Sequence, residues 1–271
     1  MKRRIIALCK RLIKNIKKPE MLILPGQLSF FFLLTLVPLT ALFVSVLSRI
    51  NISNNFIGDL VLKSAPQALE NIIGTLSNTS AANTNAIIFF ISSLFLASNG
   101  THSMIIASNK IYNVKDRDYI SRKIKSIIML LVLIVLLLFI MVVPLFGDML
   151  IRLLVNITGQ SLGNVIKVIY NVLKYPVSII LVFYAIKLLY IMAPDIEVKH
   201  NEVNYGALFT SIAWITVTQI YSLYVENFSN YSNLYGNLSN LLILMWWIYI
   251  LSYIFVLGIG LNVTKYQLSK E

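Results

Sequence analysis

Charge is scarce in this sequence. Only 13% of its 271 residues are Asp, Glu, Lys or Arg, against roughly 25% in soluble domains. Hydrophobic residues make up 58% and the mean hydropathy is +0.78, so a soluble fold would lack the polar surface to cover its core. Cysteine is limited to Cys9, which excludes an intrachain disulfide. The two histidines, His102 and His200, are too few for a His-rich metal site, and nothing acidic or sulfur-bearing sits at ligand spacing from His102. Metal-dependent phosphodiester cleavage wants clustered His and Asp ligands, and these are missing. A Gly-rich phosphate loop of the Walker type is missing too, which excludes ATP-driven pumping by this chain alone. No nucleophile–base pair is recognisable. The sequence predicts no enzyme, no cofactor and no metal. A polar stretch long enough to fold by itself is also lacking, so one membrane domain is expected.

What the sequence has is basic residues beside apolar runs. Lys and Arg number 23 against 11 Asp and Glu, a net charge of +12. Residues 2–18 carry eight of them, and Ile5, Leu8, Cys9, Leu12, Ile13 and Ile16 recur between them at helical spacing. A helix apolar on one face and cationic elsewhere lies in the membrane interface, where anionic lipid contributes on the order of 1 kcal/mol per basic residue. A positive tail that only fixes topology is the alternative reading. Pro19, Pro25 and Gly26 are expected to break the chain before the first span. No small-residue cleavage site follows, so the first span reads as retained. Residues 1–25 form this segment, 26–262 the transmembrane domain and 263–271 a short tail.

The fold class predicted is an all-α integral membrane protein with six spans, each near the 20 residues that cross a bilayer: Leu28–Ser48, Ala86–Ala107, Ser126–Gly147, Tyr175–Pro194, Tyr205–Val225 and Leu241–Leu261. The N-terminal arm, the second-to-third loop (Lys110, Lys115, Arg117, Arg122, Lys123, Lys125), Lys199, Lys265 and Lys270 place 17 basic residues on one side. The other side has five: Arg49, Lys63, Arg152, Lys167 and Lys174. Positive charge stays inside, which puts both termini in the cytoplasm. Residues 49–85 and 148–174 are expected to be long extracytoplasmic loops with short interfacial helices. Partners implied are membrane lipids with anionic headgroups at the cytoplasmic face and a homo-oligomer, with no nucleic acid.

Four segments carry a resemblance: Gly26-Gln27-Leu28-Ser29-Phe30 with Leu36-Val37-Pro38-Leu39; Ser98 to Ser126, with Asn109-Lys110-Ile111-Tyr112 and Arg117-Asp118-Tyr119-Ile120; Leu189-Tyr190, Pro194-Asp195 and Tyr205-Gly206-Ala207; and Asn227-Phe228, Tyr231, Tyr235-Gly236, Trp247 and Gly258-Ile259-Gly260-Leu261-Asn262. In order and spacing they resemble the YihY/BrkB family of bacterial inner-membrane proteins over almost the whole chain. The resemblance implies six helices in the cytoplasmic membrane. It also implies a family discussed as transporters or lipid translocators that carries an old ribonuclease BN label. Where that family commonly has Gly-Ala-Glu-Leu-Asn near its last helix, this chain has Gly260 in place of the Glu.

Polar groups inside hydrocarbon mark candidate sites. Lys187 is the one charge within an expected span, either reaching its ammonium toward headgroups or facing an anionic substrate. Ser98-Asn99-Gly100-Thr101-His102 interrupts the second span. Asn99 and His102 would line a hydrated path or bond a neighbouring helix. Gln27, Asn109, Gln219 and Asn227 lie near span ends and complete the substrate-pathway candidates, with interfacial hydrogen bonding as the competing role. The leading expectation is a transporter or lipid translocator without its own ATPase. Its rival is a membrane scaffold that organises other components.

Overall fold

The computed structural model describes residues 17, 19–49, 84–136, 160–227 and 237–270. These form six helices and no strand: α1 (Glu20–Arg49), α2 (Thr84–Tyr112), α3 (119–136), α4 (Gln160–Met192), α5 (Asn204–Asn227) and α6 (Asn237–Ser269). The expected interfacial helix in residues 2–16, the loop over 50–83, the end of the third span with the loop start over 137–159, and residues 228–236 lie outside the described residues.

Local chemistry sets the helix ends. The Pro19 carbonyl accepts the N–H groups of Leu22 and Ile23 at 3.1 and 3.3 Å, and Glu20 stands in the first turn of α1, where a carboxylate favours the helix dipole. At the end of α2, Asn113 adopts φ 58°. Its N–H bonds the Lys110 carbonyl, while the Val114 N–H bonds the Asn109 carbonyl at 2.9 Å. This pair of bonds around a left-handed residue closes a helix and turns the chain. Asp118 then caps α3, its Oδ2 accepting the Ser121 N–H at 3.0 Å.

Three helix boundaries correct the sequence reading. Pro25 and Gly26 do not break the chain before the first span; both lie inside α1, as does Pro38. Proline costs one backbone hydrogen bond, and the flanking apolar packing of Met21, Leu24 and Leu28 carries the helix through it. Residues 160–174 are not a separate loop helix but the first half of α4, which continues through Pro176. The segment after 262 is helical to Ser269, so the last span and most of the tail are one element.

α1 packs along α2, α4 against α5, and α6 against α1, α2 and α5. The buried core includes Leu28, Ile105, Met129, Tyr190, Val203 and Phe255. These come from the start of α1, the end of α2, the start of α3, the end of α4, the start of α5 and the second half of α6. The core therefore gathers at the end of the bundle where α2 joins α3 and α4 joins α5. Small residues let the helices approach. A Cβ on Gly206 would strike the Asn262 amide and the Gly258 carbonyl, and one on Gly258 would strike the Tyr190 and Thr210 hydroxyls. Close helix crossings of this kind are how apolar helices associate without a hydrophobic drive between them.

Outside this core the helices are bare. Ile88, Ile91, Ile128, Val135, Ile180, Leu208, Ile212, Ile220, Leu223 and Leu242 are all more than half exposed. Among the described residues, Asn204–Val225 and Leu242–Ser269 are long and apolar enough to cross a bilayer. An apolar surface this continuous is incompatible with water and compatible with lipid.

Candidate functional site

The polar residues of the bundle collect in two places on α2 and α3. The first centres on Asn109, 0% exposed. Its amide nitrogen donates to Asp116 Oδ1 at 2.9 Å and Asp195 Oδ2 at 2.7 Å, and its oxygen accepts the Asp195 N–H at 2.8 Å. Asp195, with 2% of its side chain exposed, pairs with Lys125 at 2.6 Å and with Arg117 at 3.5 Å. Lys125 also donates to the carbonyls of Ala193 and Pro194 at 3.0 and 2.8 Å, satisfying buried acceptors just past the end of α4. Arg122 pairs with Asp116 at 3.2 Å. The network thus ties the α2–α3 turn to the α4–α5 turn. Burial alone pushes the Asp195 carboxyl up, but hydrogen bonds from Lys125 and Asn109 and the charges of Lys125 and Arg117 outweigh it and hold it below the ordinary carboxylate value. The Asp118 carboxyl is also held low, chiefly by the Ser121 backbone N–H it accepts.

The second place is Lys123, 5% exposed. Its ammonium donates to Asn99 Oδ1 at 2.8 Å and to the Phe95 carbonyl at 3.0 Å, and lies 4.0 Å from the centre of the Phe95 ring. No carboxylate pairs with it among the described residues. Register fixes its direction. Thr101 donates to the Ser126 carbonyl at 2.7 Å, so 101 and 126 stand at one level of the antiparallel pair. Phe95 and Asn99 lie on the far side of that level from the connecting turn, while Lys123 is rooted on the near side. The ammonium therefore reaches away from the turn, along α2 toward the middle of the bundle.

Other expected site residues separate. Asn99 and Asn109 belong to the two polar groups just described. The His102 ring lies 5.8 Å from that of Tyr119, and its Nδ1 is buried without a hydrogen-bond partner. Lys187 stands 6.0 Å over the Phe183 ring and makes no ion pair among the described residues. Gln27 is half-buried on α1 and Gln219 is exposed on α5. Asn227 ends α5, and its side chain lies outside the described residues. The expected single pathway through Asn99, His102 and Lys187 is not outlined by the cavities at Lys110 and at Tyr221, neither of which any of the three lines. Lys123, Lys125 and Asp195 were missed as site residues because they read as loop charges. The available signal was the pairing of polar Asn109 with Pro194-Asp195 in the shared segments.

A third polar contact closes the far side. Glu202, buried, accepts the Lys199 N–H and the Ser269 hydroxyl, tying the α4–α5 turn to the end of α6. Nearby, Asn262 Oδ1 accepts the Gly206 N–H at 2.8 Å, and the Tyr190 hydroxyl donates to the Phe255 carbonyl at 2.9 Å. Gly260, at the position of the familial Glu, is buried, and a Cβ there would meet only Met21, at 3.5 Å.

These residues sit in the segments shared with known proteins. The chain is 26% identical over 249 residues to the ribonuclease-like protein YfkH of Bacillus subtilis, covering 90% of each. It is 24% identical over 263 residues to a UPF0761 membrane protein of Vibrio parahaemolyticus, covering 93% of this chain and 80% of that one. A UPF0761 membrane protein of Chlorobium phaeobacteroides is 26% identical over 247 residues, 88% of this chain and 55% of the longer relative. No solved structure matches. The family model described as virulence factor BrkB matches residues 12–271. With nearly its full length matched, and with apolar helix faces suited to lipid, the chain belongs to the BrkB family of membrane proteins.

Proposed function

We propose that this chain moves an anionic lipid or small anion through the bacterial inner membrane, without an ATPase of its own and without catalysing a covalent reaction. In this reading six helices span the bilayer with both termini in the cytoplasm, which the 17-to-5 division of basic residues favours. The end holding the Asn109–Asp195 network then faces the cytoplasm.

One observation carries the proposal, the inward reach of Lys123. A lysine near a membrane surface ordinarily extends toward water. Lys123 does the opposite and is held by one amide oxygen, one carbonyl and one aromatic ring. These neutral groups stabilise an ammonium, each by on the order of 1–3 kcal/mol, without cancelling its charge. A net positive charge inside the bundle attracts an anion, and ionisable groups in this position mark substrate paths. Asn99, on the polar interruption of the second helix, positions it.

The test is flux. Purified protein in liposomes should accelerate the exchange of labelled anionic phospholipid or of a small anion such as chloride. Lys123→Met should cut the rate about tenfold, while Lys187→Gln should leave it near the wild-type value. If the wild type accelerates neither, the proposal fails. If Lys123→Met moves both at full rate, Lys123 has no part in it.

A scaffold is the second reading. It is favoured by the closed polar network, in which Asn109, Asp195, Lys125 and Asp116 satisfy one another and leave little to offer a substrate. Absence of flux together with intact folding would select it.

A further inference from the structure

We infer that the pocket between the start of α1 and the end of α2 holds a phospholipid headgroup that carries a phosphate and a primary ammonium, the chemistry of phosphatidylethanolamine. Pro19, Glu20 and Met21 line it from the α1 side, and Lys110, Ile111 and Asn113 from the α2 side. Its volume of about 290 Å³ is at the small end of ligand sites, which begin near roughly 300 Å³. That is room for a headgroup whose tails lie outside.

Two opposite charges mark the pocket. Glu20 and Lys110 both line it and both are exposed, so a ligand reaches them. Neither side chain has an ion pair or hydrogen bond among the described residues. The helix ends explain why they stay apart. Glu20 stands in the first turn of α1 and Lys110 in the last turn of α2, and each charge is favoured by the dipole of its own helix. A simple anion drawn to Lys110 would meet Glu20, and a simple cation drawn to Glu20 would meet Lys110; like charges brought together disfavour both. A phosphate and an ammonium a few bonds apart satisfy both residues at once. A primary ammonium donates N–H bonds to the carboxylate, whereas a quaternary one has none to give.

The surroundings favour a lipid over a soluble zwitterion. Met21 is buried toward Gly260 of α6 and closes the side facing the bundle, so the pocket opens outward. Ile23 stands about one turn from Glu20 on the same side of α1 and is 67% exposed, with Leu22 beside it at 69%. Such bare apolar surface is covered by hydrocarbon. Acyl chains therefore run along α1 from the pocket toward the middle of the bundle.

Native mass spectrometry of the full-length protein in detergent, with one phospholipid added at a time, tests the site. Phosphatidylethanolamine should half-occupy it at a concentration about tenfold lower than phosphatidylcholine or phosphatidylglycerol with the same acyl chains. Glu20→Gln should erase that preference. Lys110→Gln should weaken phosphatidylethanolamine binding about three- to tenfold, and Lys110→Arg should retain it. Lys199→Gln, which removes another exposed cation at the same end of the bundle, should leave the ranking unchanged. Thermal unfolding followed by circular dichroism checks that each variant is folded, and the wild-type ranking is a test that needs no variant. Equal binding of phosphatidylethanolamine and phosphatidylcholine would show that no primary ammonium is read, and would overturn the inference. Tighter binding of phosphatidylglycerol would reduce the effect to attraction by the basic face, which overturns it equally. No binding of any of the three would mean that water or the chain's own basic arm fills the pocket, against the inference again. A ranking unchanged in both Glu20→Gln and Lys110→Gln would place the lipid elsewhere and overturn it too. None of these measurements reads flux, so this inference and the proposal for Lys123 stand or fall separately.

Discussion

The turn end of the bundle and the groove between α5 and α6 are built from helices of similar apolar character, yet they differ in how much polar bonding they bury. At the turn end an amide and an ammonium are each brought within 3 Å of one carboxylate, and the surrounding core is dense. In the groove Val217, Ile220, Leu242 and Ile243 stand beside Tyr221, Tyr224, Trp246 and Trp247, and the side chains leave space. The first region is held together by buried polar bonds between turns; the second is walled by apolar and aromatic side chains. Satisfied networks fix geometry, whereas apolar walls fix only which surfaces meet.

That contrast can be broken most severely at Asp195. Asp195→Ala leaves half-buried Lys125 without its carboxylate and Asn109 without one of its bonds, and should cost about 2–3 kcal/mol, read as a lowered unfolding midpoint in detergent. Asp195→Asn keeps part of the hydrogen bonding and should lose less. Acid should mimic the loss. Because the folded carboxyl titrates below its ordinary value, its stabilising contribution is fully present above about pH 4 and disappears as pH falls through the lowered value. The Asp195→Asn variant should show a flatter acid limb than the wild type. An identical limb would show that Asp195 is not the group responsible.

Packing at the same end should give the next largest effect. Gly258→Ala drives a methyl group into the Tyr190 and Thr210 hydroxyls and should destabilise by about 1–3 kcal/mol. Tolerance of that change would mean that α4, α5 and α6 pack more loosely than described. Smallest, and of opposite sign, is Gly26→Ala. Nothing lies within 4 Å of a Cβ there, so the better helix former should stabilise α1 by about 0.5–1 kcal/mol. A loss instead would show that α1 needs a pliable residue beside Pro25.

Much of this architecture was readable in the chain itself. Apolar runs located the helices, and the polar interruption at Ser98–His102 falls on α2, where Asn99 accepts a hydrogen bond from Lys123. Helix ends were less legible. Pro25 and Gly26 carry strong local preferences for a break, but packing of Met21 and Leu28 overrode them. The first half of α4 and the end of α6 are amphipathic or polar enough to resemble loop and tail. Asn109 was recognised, although as an interfacial group rather than a buried hub.

Membership of a lipid-facing helical class was determined by composition alone, because free energies of transfer depend on residue type and run length, not on which helix touches which. Pairing was decided only by tertiary structure. Asn109 and Asp195 are 86 positions apart, and the inward reach of Lys123 follows from the register of α2 against α3. An ammonium counted as a loop charge becomes a buried one when a neighbouring helix covers it, and no local pattern of residues records that event.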